Sequence, residues 1–457
     1  DDDIFNVQSI SAATTLRTGD HNDTVNIHSD QTMEQIQENL TVYTQSGSDT
    51  INISDAADGS FQTGTLTSTE LTGLGIGTAY SIKYYDTEFL NIGLGTTDNH
   101  FDIQSTHANQ TNLTSQQGDD IINIKTISGL TNIDSGSGDD IVRVSNLQRI
   151  NDIQANLNID LGTQGSGDSL ILDDSGENAA QTGVLTHNTL TGFGVAPSKT
   201  ISYLNVEQLD LQLGNHADTL TILGSHTNAT NIDTNSGDDT VYVENIDGPT
   251  HINTHEGADR IDVHRSGRLE YISNTLTIDA GSEADTLTIN DSNDSQPQTG
   301  TLTDQSFEGF GIAASHLIAY DNIESLDIDL GSGDDSLLIE NTHSNSTVID
   351  GNAGNDVFNA AQLNGIVDLN TNADNDQINL QKTTVSATPR FTTGSGDDEI
   401  RIYEPTQPSL AFPVAEVTPI LNSTMQNVLS SVLIDSGTGH DAMFLHITNP
   451  SIPGQSY

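Results

Sequence analysis

The sequence contains no cysteine and no tryptophan. The first absence excludes a disulfide scaffold and any thiolate metal site. The second removes the aromatic platform on which sugar-cleaving clefts usually hold a ring. Basic residues are scarce as well: 12 Lys and Arg stand against 65 Asp and Glu, a formal net charge of −53 over 457 residues. A phosphate backbone needs a basic face, so nucleic acid is not expected as a partner. No stretch approaches the roughly 18 apolar residues of a membrane-spanning helix. The longest apolar stretch, Ala411 to Leu421, is broken by Pro413 and Pro419. There is no signal peptide and no initiating Met; the chain opens with Asp1-Asp2-Asp3-Ile4-Phe5-Asn6-Val7, already inside a motif. The numbering is therefore expected to begin within a longer precursor that carries any targeting signal.

Such a charge density alone favours an expanded chain, because like charges repel. Periodicity points the other way. A small-Gly-x-x-Asp turn followed by alternating apolar residues recurs throughout. Its last acidic position falls at Asp3, Asp23, Asp49, Asn99, Asp120, Asp140, Asp168, Asp218, Asp239, Asp259, Asp285, Asp335, Asp356, Asp376, Asp398 and Asp441. Successive spacings of 20, 26, 50, 21, 20, 28, 50, 21, 20, 26, 50, 21, 20, 22 and 43 contain a small period of about 20 residues inside a large one of 117–119. Independent landmarks keep the large period: Gln62-Thr63-Gly64, Gln181-Thr182-Gly183 and Gln298-Thr299-Gly300, then Tyr84, Tyr203 and Tyr320, then Glu88, Glu207 and Glu324. The chain divides into a partial repeat (1–49), three solenoid repeats (50–168, 169–285 and 286–398) and a divergent C-terminal segment (399–457) that holds six of the ten prolines.

Within the small unit, Val241, Val243 and Ile252 alternate with polar residues, which is strand periodicity. Gly248-Pro249 and the region of Gly257 are turns. A 20-residue unit of two or three short strands cannot bury its apolar face alone, but stacked at about 4.8 Å per coil it can. The fold class expected is all-β, a parallel β-solenoid of β-helix or β-roll type, with each inward Val or Ile above its equivalent in the next coil. The 50-residue segments are expected to add about two coils without the acidic turn. Five to six coils per large repeat would rise roughly 25 Å and the whole chain roughly 100 Å. Met33 to Asn39 is the nearest approach to a helical pattern.

The acidic turns carry the chemistry. Asp is a hard oxygen donor, and glycine allows positive φ, which turns carbonyls inward. Stacking places such carboxylates about 5 Å apart, where a Ca²⁺ ion with six to eight oxygen ligands relieves their repulsion better than Mg²⁺ with its strict octahedron. The candidate metal residues are Asp119, Asp120, Asp139, Asp140, Asp168, Asp218, Asp238, Asp239, Asp259, Asp285, Asp334, Asp335, Asp356, Asp376, Asp397 and Asp398, with the glycines Gly136, Gly138, Gly331, Gly333, Gly394 and Gly396. Ca²⁺ is the one cofactor expected.

These turns resemble the hemolysin-type (RTX) calcium-binding nonapeptide Gly-Gly-x-Gly-x-Asp-x-apolar-x. Gly136, Gly138, Asp140 and Val142 match its Gly, Gly, Asp and apolar positions, as do Gly331, Gly333, Asp335 and Leu337, and Gly394, Gly396, Asp398 and Ile400. The resemblance implies Ca²⁺ between stacked turns, type I secretion, folding outside the cell and a β-roll. RTX repeats recur every nine residues, two to a coil; here one turn comes every 20 or so, which places metal on at most one edge. Gly95-Thr96-Thr97-Asp98-Asn99, Gly214-Asn215-His216-Ala217-Asp218 and Gly257-Ala258-Asp259 are degenerate. The large unit is also similar to repeats of very large marine bacterial surface proteins.

The competing reading of each turn is plain backbone geometry, in which Gly and Asp serve only the bend. His107, His226 and His343 keep the spacing of the large repeat, so they are read as structural, and Tyr84, Tyr203 and Tyr320 as stacked in the solenoid. Sequons recur at Asn109, Asn228 and Asn345, which allows glycosylation without indicating it. Arg260, Arg265 and Arg268, with His264 and Asp262, are the one place where a catalytic or anionic-glycan site is conceivable, and salt bridging is the simpler role. No catalytic residue is assigned. The function expected is an extracellular, cell-surface structural segment (surface layer, filament or adhesin stalk) that binds Ca²⁺ and contacts itself or a matrix. The alternative is a polysaccharide-active β-helix, a lyase, an epimerase or a glycan-binding module.

Overall fold

The computed structural model describes residues 1–163, 165–384, 387–402 and 432–445. Among these every regular element is a strand. The chain divides into two compact units, the first Asp1–Ser236 and the second beginning at Gly237. The apolar stretch from Ala411 to Leu421 lies outside the described residues. The ends of the C-terminal segment that are described, Glu399–Ile402, Leu433–Asp435 and Ala442–Leu445, pair in parallel with the solenoid strands before them.

Each unit is a flattened parallel β-solenoid whose coil has two short strands, one in each of two facing sheets. Strand length and period follow from the residues. In Thr240–Val243, Val241 and Val243 point inward, and their neighbours upward are Ile261 and Val263, then Leu287 and Ile289. All six are essentially inaccessible to solvent. Alternation of period two thus becomes columns of β-branched and leucyl side chains between the sheets. The outward positions are polar. In the first unit Asn6, Asn26, Asn52, Asn91, Asn112, Asn132 and Asn158 form one file, and each side-chain amide donates to Oδ1 of the Asn one coil earlier at 2.6–2.9 Å. Met33 to Asn39 is a loop within a coil, fastened by the bridge of Ile36 to Ile10.

The 50-residue segments differ from the expectation of two plain coils. Each contains an antiparallel hairpin. Gln62–Leu66 pairs antiparallel with Glu70–Gly73, which pairs antiparallel with Ile82–Tyr85. The outer two strands rejoin the parallel stack, Ile82–Tyr85 on Leu40–Tyr43 and Gln62–Leu66 under Asn99–Ile103. The segments around Thr182–Leu185 and Thr299–Leu302 repeat this arrangement. The Gln-Thr-Gly landmark belongs to it: Gly183 faces Gly192, and a Cβ on Gly183 would lie 2.0 Å from the ring of Phe193. Tyr84, Tyr203 and Tyr320 are buried and donate their hydroxyls to the carbonyls of Thr67, Thr186 and Thr303 at 2.5, 2.9 and 2.6 Å.

Eleven strands, an odd number, run from Thr50–Ser54 to Leu157–Asp160, and the three of the hairpin share one sheet. Homologous positions therefore change sheets. Thr50–Ser54 belongs to one sheet of the first unit, and its homologue Ser169–Asp173 belongs to the other. The acidic turns follow. Those ending at Asp23 and Asp49 lead into the first sheet, and those ending at Asn99, Asp120, Asp140 and Asp168 lead into the second. In the second unit the turns at Asp239, Asp259 and Asp285 occupy one edge, and those from Asp335 to Asp398 the opposite edge. One coil carries one acidic turn, but both edges of a unit carry stacks, which corrects the expectation of a single acidic edge.

Candidate metal centre

The adjacent acidic residues of each turn enter two separate ladders that run in opposite senses. The second residue of the pair is buried, and its Oδ1 accepts the main-chain N–H of its counterpart one coil earlier. Asp120 N–H donates to Asp140 at 2.8 Å, and Asp140 N–H to Asp168 at 2.7 Å. Asp239 donates to Asp259 and Asp259 to Asp285, both at 2.8 Å. Asp335, Asp356 and Asp376 donate in turn to Asp356, Asp376 and Asp398 at 2.8, 2.9 and 2.9 Å. The first residue of the pair is exposed, and its Oδ1 accepts from one coil later. Asp119 accepts from Asp139 N–H at 2.9 Å, Asp139 from Ser166, Asp238 from Ala258, Asp334 from Asn355 and Asp397 from His440.

The landmarks of the large repeat begin and end these ladders. Gln181 and Gln298 donate their N–H groups to Asp218 and Asp335 at 2.7 and 2.8 Å. At the other end Glu88 and Glu324 take the place of the next Asp, accepting from Asp49 and Asp285 N–H at 2.9 and 3.0 Å. Asp168 meets Glu207 at the equivalent position.

One oxygen of each inner carboxylate is thus committed. The other, Oδ2, is buried without a partner in Asp120, Asp140, Asp168, Asp259, Asp285, Asp356, Asp376 and Asp398. Burial disfavours the charged form. It pushes Asp120 and Asp285 up to about 7, Asp356 to about 8 and Asp376 to about 6, and Asp168 to about 7 with help from Glu207. Asp140, Asp259 and Asp335 are raised for the same reason. Asp334, in the exposed row, is held below the usual range by the N–H groups of Asn355.

Glycine geometry separates the three best-matched turns. Gly136, Gly138, Gly394 and Gly396 have φ of 86°, 144°, 77° and 148°, as the motif requires. Gly331 and Gly333 lie outside the left-handed region, and a Cβ on Gly333 would meet the Gln296 carbonyl carbon at 2.4 Å. That turn lies against the hairpin segment, and close packing explains its glycines better than φ does. The degenerate turn at Asp218 takes yet another form, in which Oδ2 accepts the N–H of its own Gly214 at 3.1 Å.

The turn carboxylates stand in single file. Among the described residues, the one set of three acidic groups whose ligand atoms all lie within 4.8 Å of one another is Glu34, Asp55 and Asp58. None of the three belongs to the turn motif. A signal for them exists in the sequence: Asp55 and Asp58, Asp174 and Glu177, and Asp291 and Asp294 keep the 119 and 117 spacings.

The remaining candidates are structural in place. His107 and His226 pack edge-on against Tyr84 and Tyr203 with ring centroids 5.9 and 6.4 Å apart. Arg260 pairs with Asp262 at 2.9 Å, Arg268 with Glu270 at 3.2 Å, and Arg265 lies over the ring of Tyr271 at 4.5 Å. No helix among the described residues is long and apolar enough to cross a membrane.

No protein-family model and no curated protein matches the sequence. Among solved structures, the chain is similar to a hyperactive, Ca²⁺-dependent, β-helical antifreeze protein from an Antarctic bacterium. That protein is 13% identical, with 89% of this chain and 85% of that chain covered and a TM-score of 0.15. At that score the likeness carries no argument about the site, and the β-solenoid assignment stands on this chain's own strands and registers.

Proposed function

We propose that this chain is a calcium-binding structural solenoid, a repetitive segment of an extracellular surface layer, filament or adhesin stalk, with no catalytic role. The observation that carries the reading is the orphaned Oδ2 of the inner ladder, set beside the one coil that replaces Asp by Asn. Asn99 uses Oδ1 as the aspartates do, accepting from Gln62 N–H, and its Nδ2 donates to the carbonyls of Thr97 and Gly95. In the aspartate turns an oxygen takes the place of that amide nitrogen. A buried carboxylate oxygen without a hydrogen bond needs a proton or a cation. A hard divalent cation collecting Oδ2 and turn carbonyls supplies it at neutral pH, and the chemistry matches the RTX-like spacing of Gly136, Gly138 and Asp140.

Extracellular placement is supported by the same chemistry. A fold that needs many Ca²⁺ ions suits a medium where the ion is abundant, at the 10⁻⁴–10⁻³ M affinities roughly typical of extracellular modules. The edge strands at the ends of a solenoid are unpaired and suited to self-association or matrix contacts. Against the polysaccharide-enzyme alternative, the arginines nearest to a cluster are each engaged with a neighbour on their own coil.

The test is far-UV circular dichroism in chelator, followed by titration with Ca²⁺ and separately with Mg²⁺. A Ca²⁺-selective gain of β signal supports the reading. A full β spectrum in chelator, unchanged by Ca²⁺, overturns it and leaves the ladders as hydrogen-bonded backbone supports.

A further inference from the structure

One loop occurs three times with the same backbone and different charges. In each copy a buried Asp accepts, on Oδ1, the N–H of a buried apolar residue one coil earlier: Asp55 from Met33 at 3.1 Å, Asp174 from Ile150 at 3.0 Å and Asp291 from Leu269 at 3.0 Å. Three residues on stands a second acid, Asp58, Glu177 or Asp294. The residue after the N–H donor is Glu34, Asn151 or Glu270, and the residue before it is Thr32, Arg149 or Arg268.

Arginines stand against the outer acids of the second and third copies, while Asp291 Oδ2 stays buried without a partner as Asp55 Oδ2 does. Arg149 Nε is 3.9 Å from Glu177 and donates to the Gly176 carbonyl at 3.0 Å, while Asn151 replaces one carboxylate and donates to Glu177 at 3.1 Å. Arg268 pairs with Glu270 at 3.2 Å, and its charge also lowers Asp294. In the first copy all three acids are present and the arginine is absent. Thr32 stands in its place and donates its hydroxyl to the Ser29 carbonyl, away from the acids.

Two observations beyond the acidic cluster point to a ligand there. Asp55 is fully buried and its Oδ2 has no partner, although that carboxyl lies in the group whose ligand atoms are within 4.8 Å of Glu34 and Asp58. The site also has a built wall and an open side. Asp58 is buried and is fixed by Gln62 Nε2 at 2.6 Å and Ser60 N–H at 3.0 Å. Glu34 is exposed and lies beside Gly75, where a Cβ would come within 3.3 Å of its carboxylate. Two rigid carboxylates and one adjustable, water-facing carboxylate are the donor set of a hard divalent cation that completes its shell with water.

We infer that Glu34, Asp55 and Asp58 bind one divalent cation, Ca²⁺ by size and ligand type, which does in the first copy what the guanidinium groups of Arg149 and Arg268 do in the other two. The site is separate from the Gly/Asp turns and does not depend on their holding metal. Three ionised carboxylates around one divalent ion leave a charge near −1, at a site where Asp55 is fully buried.

The test uses the full chain crystallised with Mn²⁺ as an anomalous scatterer, beside the variants Thr32→Arg and Glu34→Gln. An anomalous peak between Glu34, Asp55 and Asp58, absent at Asp174 and Asp291 and lost in Thr32→Arg, is the expected result. Equilibrium dialysis with Ca²⁺ should lose one bound equivalent per chain in either variant, with the β spectrum in circular dichroism retained. The inference is overturned if the wild-type density is empty at that position, or if both variants keep the wild-type peak and stoichiometry. Metal in the turns with none at this cluster sinks this site alone, and metal here with none in the turns sinks the turn reading alone.

Discussion

Asp140 donates its main-chain N–H to Oδ1 of Asp168 one coil later, 2.7 Å away, and leaves Oδ2 of both residues buried and unpartnered. Asp168 thus holds the coil before it in register with one oxygen and presents the other as an unmet demand, and Asp120, Asp259, Asp285, Asp356, Asp376 and Asp398 share its buried, unpartnered Oδ2. Stability should depend on what meets it.

Acidity is one answer. Folded-state values of about 7 for Asp120, Asp168 and Asp285, and about 8 for Asp356, lie above the ordinary 3.8. The folded chain therefore holds more protons than the unfolded chain between pH 4 and pH 8, and stability must fall as pH rises through that window. Chemical denaturation of the chelated protein should show its highest midpoint near pH 4 and its lowest near pH 8. Saturating Ca²⁺ should flatten the upper part of that fall. A midpoint in chelator that rises with pH would refute the ladder's role.

Substitution of one rung should separate the two oxygens. Asp356→Asn keeps an acceptor for Asp335 N–H and offers an amide to the turn, as Asn99 does. Without metal at pH 8 it should stabilise by about 1–3 kcal/mol, the cost of an unsatisfied buried polar group. In Ca²⁺ the sign should reverse. Asp356→Ala should destabilise under both conditions. Urea midpoints with and without chelator read the difference.

Turn packing makes a third prediction. Gly138 has φ of 144°, and a Cβ there would lie 1.9 Å from the Gly118 carbonyl oxygen. Gly138→Ala should cost at least about 1–3 kcal/mol from backbone strain alone, whatever the metal concentration. A loss that Ca²⁺ fully restores would mean the glycine serves the ion rather than the close approach of coils.

The hairpin segments can be probed through Tyr84. Its buried hydroxyl donates to the Thr67 carbonyl at 2.5 Å and ties the hairpin to the stack. Tyr84→Phe should destabilise by about 1–2 kcal/mol, with faster amide exchange in Glu70–Gly73 than in Ile121–Ile124. Equal protection in the two strands would show that the hairpin does not depend on this bond.

Much of this was open to reading in the chain. Columns such as Val241, Ile261 and Leu287 follow from period-two alternation repeated at a fixed spacing, because a parallel stack puts each residue over its equivalent. The paired acids Asp119-Asp120 and Asp139-Asp140 were visible, but their opposite ladders were not. Adjacent residues on a strand face opposite ways, and the sense of a side-chain to main-chain bond depends on which side of the turn each leaves. The hairpin was hidden too. Fifty residues without an acidic turn fit two plain coils in length, and the clue to a reversal, Gly64 opposite Gly73, depends on a pairing that spacing does not reveal. Glu34 comes from the partial repeat and Asp55 and Asp58 from the first full one, and their significance rests on what stands at Thr32, opposite Arg149 and Arg268 in the other two loops.

An odd strand count per large repeat gives the first unit the symmetry of a screw: one repeat advances the pattern and rotates it by half a turn. Thr50–Ser54 and Ser169–Asp173 are equivalent in pattern and lie in opposite sheets. Within the first unit, any ligand or partner that reads a repeat-specific feature therefore meets it on opposite faces. Gene duplication by single repeats would lengthen such a molecule without changing its balance, giving it the same character on both sides, and loss of one hairpin would leave the faces of the coils beyond it unchanged, because its three strands lie in one sheet.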